Sequence, residues 1–247
     1  ALVDLKRVDE AEQTWRNIYE MAKKSGDENQ AARNCAALAT FFRTQKQDDK
    51  AQTVFEECLR DFPAHALLQQ WVSDFYVETG QPEKSITVWK QAVEKTPEDL
   101  GLRAKLADLL YGQGHVDEAA AVVQESVALF DTPEAWRMLS GFKRKIGQPK
   151  EARTALEQSL ERTRNVSPGM RFALADMMIE EGDLDAAQKI ADELEEPSYR
   201  SLLNGAILLA RKDAKGALAH FDEGLRLWPN NAGARYLAGR AADELGD

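Results

Sequence analysis

The chain has 247 residues, 43% hydrophobic and 30% charged, a balance that supports a sizeable apolar interior and excludes a disordered tail. Its net charge of -10 and pI of about 5.0 argue against sequence-independent nucleic-acid binding, which draws its affinity from Lys and Arg neutralising phosphates. No stretch reaches the roughly 20 apolar residues that span a bilayer, the best being the interrupted SLLNGAILLA at 201–210, and no signal-peptide pattern opens the chain.

In chain order, VDEAEQTWRNIYEMA (8–22) reads as the second helix of a hairpin without its first, with Ala11 and Trp15 at a small and a large position. The chain is thus expected to begin in mid-repeat and to be a fragment of a longer array. Cys35 and Cys58 follow, without the spacing of a zinc site and without a Cys-dense framework. We read them as buried free thiols, with a disulfide as the alternative.

A turn pattern then recurs: GQPEKS (80–85), GHVDEA (114–119), GQPKEA (147–152) and GDLDAA (182–187), with versions lacking the leading glycine, KQDDKA ending at Ala51 and KDAKGA ending at Ala217. The closing small residues are 34, 34, 33, 35 and 30 apart. Twelve residues before each stands another small residue: Ala39, Ser73, Ala107, Ser140, Ala175 and Gly205. Antiparallel helices approach closely only where facing side chains are small, and twelve residues is about the path round a short turn to that point. Each unit is therefore expected to be a helical hairpin. Large residues at Phe55, Trp89, Val123, Leu156 and Phe221 extend the contact, and Pro63, Pro97 and Pro229 end the second helices. At the far end AGARYLAGRAADELGD supplies first-helix positions at Leu237 and Ala238 and stops at a glycine, so its apolar Tyr236 and Leu245 invite fraying or self-association.

This repetition resembles the tetratricopeptide repeat family, whose 34-residue unit follows W-x2-L-G-x2-Y, then A-x3-F, then P. PEAWRMLSGFKRKIGQPKEARTAL (133–156) is most similar, with Trp136, Leu139 and Ser140 in one helix and Ala152 and Leu156 in the next. The motif tryptophan occurs only at Trp136, and the tyrosine position holds Phe42, Tyr76, Leu110, Lys143, Met178 and Leu208. The resemblance implies an all-α solenoid, a right-handed superhelix of about fourteen stacked helices forming a single array. Repeats are expected at 32–65, 66–99, 100–132, 133–167, 168–197 and 198–230, with partial repeats at 1–31 and 231–247. The alanine-rich, lightly decorated repeats point to a bacterial source.

Catalytic signals are missing. A phosphate loop needs its glycines after a strand, but the GQG at 112–114 follows the helical LRAKLADLLY and reads as a turn. His65, His115 and His220 fall in different repeats and make no metal or base constellation, and no GxSxG, HExxH or GxxxxGKS occurs. No enzyme activity, cofactor or metal is expected.

Function then rests on the groove that the resemblance implies, lined by the second, fifth, ninth, twelfth and thirteenth positions of each first helix. In repeats two and three these include Leu67, Gln70, Asp74, Val77, Glu78, Asp108 and Tyr111, an acidic zone with an aromatic. Repeat four offers Arg137, Gly141, Arg144 and Lys145 within a unit of eight basic and four acidic residues. Repeats five and six offer Phe172, Asp176, Ile179, Leu202, Ala206 and Leu209, an apolar zone. Trp71 lies at the groove's edge, where contact with a ligand and contact with the next repeat both stand. Arg137 and Arg144, two turns apart on one face, suit a ligand carboxylate; the alternative is pairing with local carboxylates such as Glu134.

The expected function is a non-catalytic scaffold that takes a protein or peptide partner, with no nucleic acid and no membrane insertion. The other class is a regulatory or substrate-presenting arm of a larger enzyme, such as a glycosyltransferase, or of an envelope export assembly. Both a cytoplasmic and a periplasmic location stand. Members of the family that clamp acidic chaperone tails use asparagines at the ninth position; Thr40, Asp74, Asp108, Gly141, Asp176 and Ala206 stand there, and the carboxylates would repel such a tail.

Overall fold

The computed structural model describes residues 8–246, which form fourteen α-helices and no strand. They are α1 (Val8–Ser25), α2 (Glu28–Thr44), α3 (Asp48–Asp61), α4 (Ala66–Glu78), α5 (Pro82–Lys95), α6 (Leu100–Gly112) and α7 (Val116–Phe130). The series continues with α8 (Pro133–Lys145), α9 (Pro149–Glu161), α10 (Pro168–Glu180), α11 (Leu184–Glu193), α12 (Pro197–Ala210), α13 (Ala214–Leu227) and α14 (Ala232–Leu245). The expected partial repeats at 1–31 and 231–247 extend onto residues 1–7 and 247, which lie outside the described residues. The chain divides at Val122/Val123 into two compact units.

Local chemistry sets the helix boundaries. Six even-numbered helices begin with a side chain that accepts an otherwise orphaned backbone N–H: Asp27, His65, Asp99, Thr132, Ser167 and Asn231. Helices α5 and α9 instead start with proline, whose missing N–H costs nothing in the first turn. Between the helices of each hairpin the backbone enters the left-handed region, at Gly80, Gly114, Gly147 and Gly182. Gly114, the second glycine of the GQG, has φ +86 and its N–H closes onto Tyr111 O at 3.0 Å, so this segment is a helix-ending turn. In the two glycine-free turns Lys46 (φ 57) and Lys212 (φ 68) take that conformation.

The twelve-residue pairs lie in the core. Ala39 with Ala51, Ala107 with Ala119, Ser140 with Ala152 and Ala175 with Ala187 are all at most 4% exposed. At Ser73 and Ser85 the pair is polar, and it is satisfied internally: the two hydroxyls lie 2.7 Å apart, and Trp89 Nε1 donates to Ser73 Oγ at 2.8 Å. Between α12 and α13 the approach demands glycine. A Cβ on Gly205 would meet the Phe221 ring at 2.8 Å, and one on Gly224 would meet Leu202 at 2.4 Å.

The expectation of two free thiols is overturned: Cys35 and Cys58 form a disulfide joining α2 to α3, with their Cα atoms 5.8 Å apart. The reason is hairpin register. In an antiparallel helix pair, residues about whole turns away from a contact lie on the same facing sides of the two helices. Ala39 and Ala51 set the register, and Cys35 and Cys58, stepping outward by one and two turns, come back into contact. A framework of many cysteines is unnecessary once one hairpin brings two together.

Candidate interaction grooves

In the first unit a groove of about 720 Å³ opens between α2 and α4. Its floor is the face of α2 that carries Ala36, Ala37 and Thr40, which recur at helical spacing, and their small side chains leave room above the backbone. Trp15, Phe41, Phe55, Trp71 and Phe75 form its apolar walls. Trp71, half-buried, packs against the core and lines the groove. Arg33 lies at the N-terminal end of the α2 face, exposed and with no carboxylate partner among the described residues. Arg43, further along, pairs with Glu78 at 2.8 Å and stacks over the Phe75 ring at 5.5 Å.

A second depression of about 460 Å³ adjoins the first, sharing Asp74 and Glu78 and extending to Lys105, Asp108 and Leu109 on α6. Trp89, 2% exposed, forms its base, fixed by its bond to Ser73 and covered by Lys105, whose Nζ lies 5.0 Å from the ring centroid. Gln70 donates to Asp74 Oδ1 at 2.8 Å and accepts from Lys105 at 3.3 Å. Asp74 therefore stands on the ridge between the two depressions, bonded to an amide and, among the described residues, in no ion pair.

The second unit has its own groove, about 380 Å³, among α8, α10, α12 and α14. Phe172, Leu202 and Ala206 form its apolar side, and Tyr236 and Arg240 its far wall. Phe172 is braced by Tyr199 and Trp228, with ring centroids 5.1 and 6.0 Å away. Arg144 reaches Glu180 at 2.5 Å and Asp176 at 3.6 Å. Burial pushes the Asp176 carboxyl above its ordinary value, Glu180 adds to the rise, and Arg144 opposes it.

The structure distributes the sequence-derived site residues unevenly. Gln70, Asp74 and Asp108 line the first unit's depressions, while Tyr111 is half-buried on α6 and lines neither. Arg144, Phe172, Asp176 and Leu202 line the second unit's groove. Ile179 packs into the cores on either side of it, and Leu209, 4% exposed, belongs to the core rather than to any groove. Arg137 directs its guanidinium to Glu134 at 2.9 Å, and Lys145 is exposed on α8. Sequence reasoning missed Arg33, Ala36, Arg43 and Thr44. These are the second, fifth, twelfth and thirteenth positions of the repeat starting at 32, so the rule applied to later repeats identifies them when applied to the first.

Models described as tetratricopeptide repeat match residues 37–65, 73–132 and 104–141. Over those residues the chain carries tetratricopeptide repeats. A comparison with curated proteins finds no match. Among solved structures, a tetratricopeptide repeat protein from Parabacteroides merdae is 15% identical with a TM-score of 0.52, over 98% of this chain and 94% of that one. The Pseudomonas aeruginosa protein pilF is 17% identical with a TM-score of 0.50, over 86% of this chain and 99% of its own. YrrB, a TPR protein with an unusual peptide-binding site, is 17% identical with a TM-score of 0.50, over 76% of this chain and 97% of its own. At these identities the likeness is one of fold. Within that fold, the tetratricopeptide hairpins of this chain present the α2–α4 and α10–α12 faces described above. No described helix is long and apolar enough to cross a membrane.

Proposed function

We propose that this tetratricopeptide repeat protein is a non-catalytic scaffold that receives a segment of a partner protein on the inner faces of its first helices. The observation that carries this reading is the α2–α4 groove, about 720 Å³ with an alanine floor and aromatic walls. A small floor lets a ligand backbone approach, and rigid aromatic walls supply the desolvated contact area in which binding energy concentrates. That YrrB has a peptide-binding site on a similar fold is consistent with this use. In the second unit Phe172, Asp176 and Leu202 offer a smaller subsidiary contact. There Arg144 is already held by two carboxylates, which directs the main contact to the first unit.

Selection from a random peptide library tests the proposal. Peptides enriched on the protein are expected to lose at least about tenfold in affinity for Thr40→Trp, which fills the α2–α4 groove from an exposed position, with helicity and melting unchanged. Equal binding to the filled variant would remove the groove from the function.

A further inference from the structure

We infer that the segment received by the first unit carries a bulky apolar side chain flanked by a Lys or Arg on one side and an acidic residue on the other. This deepens the scaffold reading and rests on it. The groove is electrically polar along its length. Asp74, on the α4 side, lines both depressions and among the described residues is bonded to the Gln70 amide alone, so most of a carboxylate's acceptor capacity is open. The cations nearest it in the lining are already engaged: Arg43 with Glu78 at 2.8 Å and over Phe75, Lys105 with Gln70 and over Trp89.

At the other end the situation reverses. Arg33 reaches the same groove with no carboxylate partner among the described residues. Between the two charges lie the alanine floor and Trp71. A side chain seated there excludes water, and exclusion strengthens whatever charge pairs flank it. A ligand cation placed over the ridge meets Asp74, with Glu78 beside it, and a ligand carboxylate at the far end meets Arg33 in the bidentate geometry a guanidinium favours. Reversed polarity would set a carboxylate against Asp74 and a cation against Arg33, and such like-charge juxtaposition rejects wrong partners. The arrangement thus sets the direction in which the segment lies.

The test uses peptides selected on the whole protein from the same random library. Their shared pattern is expected to contain an aromatic or large aliphatic residue between a base and an acid. Asp74→Lys should weaken them about tenfold or more, and replacing the peptide's base with Glu should restore binding to that variant while abolishing it on the parent protein. Asp74→Asn, which keeps the shape, should give a smaller loss and a weaker salt dependence than the parent protein. Selected peptides that bind the groove, as shown by their loss on Thr40→Trp, but are neutral or uniformly acidic and indifferent to Asp74→Lys and Arg33→Glu, would overturn this inference and leave the scaffold reading standing. Peptides that ignore Thr40→Trp would overturn the scaffold reading itself.

Discussion

The two units build the same helical hairpin and close it by different means. In the first, α2 and α3 are tied covalently through Cys35 and Cys58, and α4 and α5 through the Ser73–Ser85–Trp89 hydrogen bonds. In the second, α12 and α13 close by removing side chains, with Gly205 under Phe221 and Gly224 under Leu202. The contact position requires small size, and an alanine pair, a hydroxyl pair or a glycine each meets that requirement, with the cystine adding a tie further from the turn. The grooves differ too. The first unit sets half-buried Trp15 and Trp71 in the walls of a groove of about 720 Å³, whereas the second has a smaller one of about 380 Å³ bordered by Phe172.

Removing the tie should separate the units most strongly. The Cys35–Cys58 bond spans 23 residues, and a loop of that size constrains the unfolded chain by about 3 kcal/mol. Cys35→Ser with Cys58→Ser should cost the first unit about that much, while the second changes little because repeat contacts are local. Hydrogen exchange followed segment by segment reads this difference. Equal loss of protection in both units would show that the chain unfolds as one body.

A smaller effect should appear where glycine closes the hairpin. Gly205→Ala gains about 1 kcal/mol of helix propensity but drives a methyl into a ring with no exposed surface, and overpacking of that kind costs about 1–3 kcal/mol. A net loss of stability confined to the second unit is expected in denaturant melts monitored by the same exchange. Gly141→Ala, which meets open space on α8, is the control and should be neutral or stabilising. A stabilising Gly205→Ala would show that α12 and α13 can move apart freely.

The smallest effect contrasts two carboxylates. Asp61, in the first unit, is held below its ordinary value by hydrogen bonds from Lys23 and Tyr19, so its contribution is present above that value and lost as pH falls through the lowered one. Asp176, in the second unit, is raised by burial, so its ionised form opposes folding: the stability present below its ordinary value is lost as pH rises through the raised one. Asp61→Asn should lower the melting temperature at neutral pH, and Asp176→Asn should raise it slightly. The Asp176 difference should vanish below the ordinary carboxylate value of about 4, and the Asp61 difference only at a pH below its own lowered value. A fall on Asp176→Asn at neutral pH would mean that its pairing with Arg144 outweighs its burial.

The repeat, the hairpins and their turns were legible in the chain because they depend on short-range spacing. A small residue twelve positions before another defines a hairpin contact whatever surrounds it, and the GQG had to be a turn because a helix precedes it. The same register, extended outward, contained the pairing of Cys35 with Cys58, although composition alone argued for free thiols. What the chain could not decide is which side of an apolar position faces a neighbour. Leu202 and Leu209 share one helix and one core, yet Leu202 also borders a groove, since α12 packs against α10, α13 and α14 on different faces. Charge was ambiguous in the same way. Arg137 and Arg144 are equivalent as sequence, but only tertiary packing brings Asp176 and Glu180 to Arg144 and leaves Asp74 in no ion pair among the described residues. Spacing along one helix determines what can meet within a hairpin, whereas the partners of an exposed charge are set by helices distant in sequence.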